Sequence, residues 1–244
     1  MLLLSFKFHR EIIQANSFLP RVWTIQNYIN VFRTVPMLHW FRNSVVSTST
    51  ATIIVLFTST IIGFVFAKYD FRFKKIIFWF ILATMMVPPQ TTMIPTFLLI
   101  NKIGLYDRLP SLIVPGMVTG FGIFLCRQFI EDIPNSLCEA AIIDGASSFY
   151  IYFRIIVPLI RPAIGALAIF TFLQYWNDYL RPLLYLNSIN SYTLSLAITF
   201  FSSQRSSDIG AIMAAATMVM LPVAVVFFIF QKQFIKGIAI TGMK

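Results

Sequence analysis

Charged residues are scarce in this chain. Only 11% of its 244 residues are Asp, Glu, Lys or Arg, whereas 58% are hydrophobic, and the mean hydropathy is +0.79. A soluble globular domain carries about 25% charged residues, so the composition excludes an ordinary water-soluble protein. The sequence therefore predicts a single membrane domain.

Residues that bind metals, form disulfides or carry hydrolytic chemistry are also few. The chain has two cysteines, Cys126 and Cys138, which do not form a CxxC pair, and two histidines, His9 and His39, outside the apolar runs. Neither a zinc site nor a disulfide scaffold is indicated, and a histidine-based catalytic triad has little to build on. The chain also lacks a GxxxxGK[ST] phosphate-binding loop, so it is not itself an ATPase. We expect no catalytic residues, no metal and no cofactor.

Acidic residues are fewer than basic ones, nine against 19, which gives a formal net charge of +10. Such an excess can indicate nucleic-acid binding, but here the basic residues are spread through the segments between apolar runs. Basic loops beside membrane spans are the commoner cause of this pattern. We therefore expect contact with membrane lipid and no nucleic-acid partner.

The sequence contains long apolar stretches with few or no charged residues. A membrane helix needs about 20 predominantly apolar residues, and its backbone groups must be paired within the helix because lipid cannot bind them. The sequence therefore predicts an all-α, polytopic membrane helix bundle of about five spans. The stretches are residues 43–67, 76–101, 109–126, 163–186 and 209–231, of which the fourth contains Asp178 and Arg181. Prolines within these stretches predict kinks or broken turns; they are Pro88, Pro89, Pro95, Pro115 and Pro222.

A polar segment, residues 127–162, separates the third stretch from the fourth and is long enough for two short helices joined by a turn. We expect Asp144 to be the N-cap of a helix that begins near Ala146, since its carboxylate can accept a backbone N–H there. Gly145 permits a turn that a β-carbon would obstruct. The small side chains of the alanines would let a partner protein approach closely, and Glu139 could pair with a basic residue of that partner. The alternative is an ordinary amphipathic linker.

The spacing of this segment resembles the EAA loop of the membrane subunits of bacterial ABC importers, a cytoplasmic segment that docks on the ATPase. The matching residues are Glu139, Ala140, Ala141, Asp144, Gly145, Ala146, Phe153, Ile155, Pro158 and Pro162. The resemblance implies that the ATPase-coupling residues are Glu139, Ala140, Ala141, Asp144, Gly145, Ala146, Phe153 and Pro158. It also implies that the protein is not an enzyme, because ATP is bound by the partner ATPase subunit.

A second resemblance extends over nearly the whole chain. Residues 172–183, 231–238 and the region from Pro88 to Pro95 resemble the carbohydrate-type ABC importer permeases similar to the second subunit of the maltose system. This resemblance implies a multi-pass protein of the bacterial plasma (inner) membrane that imports a sugar or a sugar-like solute of the oligosaccharide or glycerol 3-phosphate class. The implied partners are a second permease subunit, two ATPase subunits and an extracytoplasmic solute-binding protein. The substrate-binding residues stay unassigned.

The resembling permeases have six spans, and only five are found here. Ser5-Phe6-Lys7 looks like the sequence just after their first span, so we expect that a start-site error or a truncation has removed it. Residues 1–42 would then be an extracytoplasmic lead-in, and residues 43–244 the transmembrane domain with its EAA loop at 127–162. The short basic loop at residues 68–75 is expected to be cytoplasmic, in agreement with the orientation that the EAA loop requires.

One rival function comes from another class, a polytopic membrane enzyme that acts on lipid. Such an enzyme needs polar residues that converge within the bilayer, and beyond Asp178 and Arg181 the stretches supply almost none. Asp178 and Arg181 are three residues apart, so they can share a helix face as a partly buried pair. We expect this pair to be structural or interfacial rather than a solute contact.

Overall fold

The computed structural model describes residues 1–14, 17–204 and 208–241, and the side chains of residues 200–204 and 230–241 lie outside this description. The regular structure of the described residues is helical throughout, which confirms the predicted fold class. In chain order the helices are α1 (Leu2–Ser5), α2 (His9–Gln14), α3 (Gln26–Thr34), α4 (Met37–Lys68), α5 (Lys74–Thr84), α6 (Pro89–Lys102), α7 (Pro110–Ile113), α8 (Gly120–Glu131), α9 (Asn135–Ile143), α10 (Ser148–Tyr150), α11 (Val157–Leu159), α12 (Arg161–Trp176), α13 (Leu180–Tyr185), α14 (Leu194–Gln204) and α15 (Ile209–Thr241). Short 3₁₀ turns at Val114–Gly116 and Ile189–Ser191 and a π-helix at Ile151–Ile156 complete the described elements.

Two of these helices are long and apolar enough to cross a bilayer, α4 and the Ile209–Ile229 part of α15. Three bent pairs pass the same test together: α5 with α6 at 98°, α7 and its 3₁₀ turn with α8 at 48°, and Ser148–Leu159 with α12 at 77°. If each bent pair is one span, the described residues provide up to five spans by length and composition.

Prolines account for two of the interruptions within these pairs. Pro88 precedes Pro89, the first residue of α6, and the residue before a proline is disfavoured in the helical conformation. Pro115 lies in the 3₁₀ turn that precedes α8. The predicted breaks at these positions are confirmed. In contrast, α6 continues through Pro95 and α15 continues through Pro222.

The predicted span at residues 163–186 is wrong at both ends. The helix begins at Arg161 and ends at Trp176, and it pairs with Ser148–Leu159 instead of continuing into α13. Asp178 explains the break, because its Oδ1 accepts the backbone N–H of Arg181 at 3.3 Å and its Oδ2 pairs with the Arg181 guanidinium. A carboxylate that binds a free backbone N–H favours the start of a new helix. The predicted Asp178–Arg181 pair forms and both side chains are largely buried, but the shared helix face is wrong, because Asp178 lies between α12 and α13.

One compact unit comprises Met1–Thr48, Ile100–Leu112 and Trp176–Phe228. Within it, the first turns of α4 bind the segment around the 3₁₀ turn at Ile189–Ser191: Trp40 donates its indole N–H to the Ile189 carbonyl at 2.7 Å, and Ser44 Oγ accepts the Leu194 N–H at 2.7 Å. α4 already begins at Met37, inside the segment expected to precede the first stretch. The predicted sidedness of residues 1–42 stays a prediction.

The second unit comprises Ser49–Leu99, Ile113–Tyr175 and Ile229–Lys244. α4 and α8 approach each other so closely here that neither Gly63 nor Gly122 has space for a β-carbon. A β-carbon on Gly63 would lie 2.8 Å from Cys126 Cβ, and one on Gly122 would lie 2.2 Å from Ser59 Oγ. Small residues allow membrane helices to pack this closely. The core of the unit lies between these helices and the segment after α8. Its buried residues are Phe64, Cys126, Ile130, Cys138, Ala141, Ile151, Tyr152, Ile156, Ile160, Ala163 and Leu167.

Candidate functional site

The polar segment at 127–162 folds, as predicted, around a turn at Gly145. Gly145 has a φ of +81°, a conformation that glycine adopts without the strain that a β-carbon brings. The Gly145 N–H donates to the Ile142 carbonyl at 3.0 Å, and the Ala146 N–H donates to the Ala141 carbonyl at 2.8 Å. This pair of bonds is the Schellman motif that ends a helix, and it ends α9 at Ile143.

The predicted N-cap is wrong. Asp144 follows the last residue of α9 and belongs to its C-terminal end, because the chain turns at Gly145 before the next helix begins. Ser147 is the N-cap instead: its backbone is extended, and its Oγ accepts the Tyr150 N–H at 3.3 Å. An N-cap must directly precede the first helical residue, and only Ser147 does so here.

Three of the predicted site residues face inward or are partly covered. Ala141 is 9% exposed and belongs to the core, and Ala146 packs against the same core. The backbone hydrogen bond between them belongs to the Schellman motif. Pro158 is half-buried in α11, directly after the π-helix. These residues therefore contribute to the packing that fixes the turn in place.

The other five predicted residues, Glu139, Ala140, Asp144, Gly145 and Phe153, are exposed. Large apolar side chains that the sequence reasoning missed are exposed beside them: Ile142 (61%), Ile143 (86%), Phe149 (75%) and Tyr150 (55%). We call these nine residues the loop surface. Their signal in the sequence is the placement of Ile142-Ile143 and Phe149-Tyr150 on either side of a Gly-containing turn, where core packing does not require apolar residues.

The loop surface has the character of a protein-docking surface rather than of a catalytic pocket. Contiguous apolar groups rimmed by polar ones mark interaction sites on protein surfaces, and here Glu139 and Asp144 supply carboxylates next to the exposed isoleucines. Among residues 1–14, 17–204 and 208–241 no group of three or more His, Cys, Asp or Glu side chains is placed to hold a metal ion.

Residues 59–240 match the model of a family described as the binding-protein-dependent transport system inner membrane component. The arabinooligosaccharides transport system permease protein AraQ of Bacillus subtilis is 35% identical to this chain over 92% of the chain and 80% of its own length. The diacetylchitobiose uptake system permease protein NgcG of Streptomyces coelicolor is 30% identical over 96% of this chain and 78% of its own length.

A solved structure has the same fold. It is the crystal structure of a bacterial ABC transporter involved in the import of the acidic polysaccharide alginate, and one of its chains superposes with a TM-score of 0.84 at 22% sequence identity. The superposition covers 95% of this chain and 87% of that chain. The fold therefore extends over nearly the full length of the described protein.

Proposed function

The chain belongs to the family of binding-protein-dependent transport system inner membrane components, and from this premise we propose that its EAA loop couples ATP hydrolysis by a partner to solute movement. As a carbohydrate ABC importer permease, the chain is a transport component and not the lipid-modifying enzyme that its sequence left open. Its apolar helices and its family identify it as a membrane protein. We place it as a multi-pass protein in the bacterial plasma membrane.

The observation that carries the coupling proposal is the loop surface. Ile143 is 86% exposed at the end of α9, and Phe149 is 75% exposed near the start of Ser148–Leu159, where the chain leaves the Gly145 turn. Exposed apolar side chains of this size favour burial against another protein, because covering them removes apolar area from water. Glu139 and Asp144 would then add pairing with basic residues of the partner, which favours one orientation.

The partner that fits this surface is an ATPase subunit, which would bind the ATP. Two such subunits would serve this chain and a second permease, and an extracytoplasmic solute-binding protein would deliver the solute. Closure of the ATPase pair would move the two EAA loops, and the permeases would alternate between outward and inward access. In this scheme the chain itself needs no cofactor.

We infer that the solute is an oligosaccharide. The relatives AraQ and NgcG are named for arabinooligosaccharides and diacetylchitobiose, which are short sugar chains. The test is uptake of labelled oligosaccharides and of glycerol 3-phosphate by cells with and without the chain. Loss of oligosaccharide uptake alone supports the inference, and loss of glycerol 3-phosphate uptake alone contradicts it.

The coupling proposal is tested by co-purification of the ATPase with the permease pair. Glu139→Lys is expected to reduce the ATPase recovered by at least about tenfold, because reversal of a contact charge places like charges together. Asp70→Lys is the matched control, since Asp70 is a fully exposed carboxylate outside the loop surface whose partner is Lys74 at 3.1 Å. Equal ATPase recovery from the two variants would contradict the proposal.

A further inference from the structure

One face of α4 is directed at the EAA loop. Thr60, Phe64 and Lys68 follow one another at intervals of four residues, so they lie on the same side of the helix. Thr60 and Phe64 are buried and Lys68 is half-buried. All three lie in the same compact unit as the loop. Each makes a contact with a residue that flanks the turn at Gly145.

The first contact holds the start of the loop. The Lys68 ammonium group donates to the backbone carbonyl of Ile133 and, at 2.8 Å, to Oδ1 of Asn135. Asn135 is the first residue of α9, and Pro134, its N-cap, makes no side-chain cap. Lys68 therefore binds the N-terminal end of α9, opposite the end that the Schellman motif closes.

The second contact holds the end of the loop. Tyr152 lies in the π-helix after the turn, is 4% exposed, and its hydroxyl shares a hydrogen bond of 2.7 Å with Thr60 Oγ1. The Phe64 ring lies against the Tyr152 ring, with a centroid separation of 5.6 Å. π-helical turns within helices are frequent at functional sites, and this one directs Tyr152 at α4.

The two contacts lie on either side of the Gly145 turn along the chain. Ile133 and Asn135 precede the turn and Tyr152 follows it, while both contacts end on the same helix face. α4 also packs closely against α8, because the approach of Gly63 to Cys126 leaves no space for a β-carbon. A rigid-body movement of the loop would therefore act on α4 through two contacts.

We propose that Lys68 and the Thr60–Tyr152 pair are positioning residues that transmit movement of the EAA loop into span α4. This inference rests on the proposed function, since it names the span that receives the movement. None of the three residues belongs to the loop surface itself. Their loss is expected to separate ATP hydrolysis from transport while the ATPase stays bound.

Tyr152→Phe is the sharpest test variant. It removes only the hydroxyl and keeps the ring contact with Phe64, and Thr60 Oγ1 keeps its bond to the Leu56 carbonyl at 2.7 Å. The fold is therefore expected to survive. In proteoliposomes that contain the whole transporter, the solute imported per ATP hydrolysed should fall about fivefold, the effect of losing one coupling contact.

Two further variants identify the contact. Thr60→Val should lower the import ratio to the same degree, and the double variant with Tyr152→Phe should be no worse than either single one, because all three lack the same bond. Lys68→Met should also lower the ratio, and Lys68→Arg should restore part of it. The matched controls are Thr58→Val, whose hydroxyl donates to the Met117 carbonyl at 2.7 Å, and Lys74→Met in the exposed pair with Asp70.

The outcomes distinguish this inference from the function on which it rests. If the unaltered transporter shows no ATP-dependent import, the proposed function fails. If it imports solute and the Tyr152 and Lys68 variants keep its import ratio, or lose it no more than the controls, the inference is overturned. Loss of ATPase binding in the Tyr152 variant would also overturn it, since the residue would then serve docking and not transmission.

Discussion

The turn at Gly145 depends on a single backbone angle, and a second glycine provides a matched comparison. Gly145 and Gly104 have φ values of +81° and +74°, and a β-carbon on either would meet no atom within 4 Å. Gly→Ala at each should therefore cost about 1 kcal/mol from the backbone angle alone. We predict that Gly145→Ala weakens ATPase co-purification and that Gly104→Ala does not. Equal effects would mean that backbone strain anywhere in the chain disturbs assembly.

Asp107 orders a loop in the other unit. Its Oδ1 accepts the backbone N–H groups of Asn187 and Ser188 at 2.8 and 2.9 Å, and its Oδ2 accepts the Ser188 hydroxyl. Burial opposes ionisation, but these hydrogen bonds outweigh it and lower the pKa of the Asp107 carboxyl below its ordinary value. The ionised form is therefore favoured in the folded protein.

A carboxyl whose pKa is lower in the folded state stabilises the fold above its unfolded pKa, about 3.9 for Asp. This contribution is lost as the pH falls through the lower folded pKa. We predict that Asp107→Asn lowers stability at pH 7 by about 1 kcal/mol and destabilises less at acid pH. Thermal unfolding in detergent from pH 7 to pH 3 measures this, and a constant difference across that range would refute the prediction.

Single residues show what the sequence could and could not predict. Gly145 was predictable because few other residues suit a left-handed turn. Asp144 was misassigned because its side chain suits both ends of a helix boundary, and only the three-dimensional path of the chain places it after α9. The exposure of Ile142 and Ile143 was not predicted despite their place beside the turn, since an isoleucine pair in an apolar chain is ordinarily buried.

Among the helices, α4 and α8 depend on small residues at their contact. A β-carbon on Gly122 would lie 2.2 Å from Ser59 Oγ. We predict that Gly122→Ala lowers the free energy of unfolding by about 1–3 kcal/mol, as overpacking does. Ser59→Ala should restore part of this loss, because it removes the clashing oxygen and the Ser59 hydroxyl has no hydrogen-bond partner among the described residues. Thermal unfolding of the two single variants and the double variant tests this, and failure of Ser59→Ala to help would contradict the packing.

Helices were predictable where charge marks their ends and less so where the chain bends. α4 contains the charge-free stretch at 43–67 and ends at Lys68. The 98° bend between α5 and α6 was not predictable in size, because prolines locate a break without fixing its angle. α14 was not predicted, since its 11 residues are too few for a span.

The molecule as a whole carries apolar surface that water does not favour. On α5 alone, Trp79 is 69% and Phe80 71% exposed. This exposure agrees with a lipid or protein environment around the spans, as the composition predicted. The sequence predicted the family as well, because its motifs are distributed over most of the chain. The orientation of the spans in the membrane was not predictable from charge alone, and it was assigned from the resemblance to the EAA loop.

Sidedness is testable with single cysteines. Cysteines that replace Lys75 and Ser147 should be shielded from an impermeant thiol reagent in intact cells, whereas one that replaces Tyr106 should react. The native Cys126 and Cys138 are buried, so their background labelling should be low. Two further positions, Ser206 and Lys244, are not among the described residues. A cysteine at Ser206 should react with the reagent, and one at Lys244 should be shielded. Labelling of the Ser147 position from outside would reverse the proposed orientation.

The central claim is that the EAA loop contacts the ATPase, and cross-linking from Ile143 tests it most directly. Ile143 is 86% exposed in the turn region. With Ile143→Cys in membranes that contain the full transporter, a short bifunctional thiol–amine reagent should join the permease to the ATPase subunit. The yield should change when ATP is added, because the ATPase pair closes. Absence of this adduct, in membranes where the same cysteine reacts with a soluble thiol reagent and the transporter is assembled, would contradict the account.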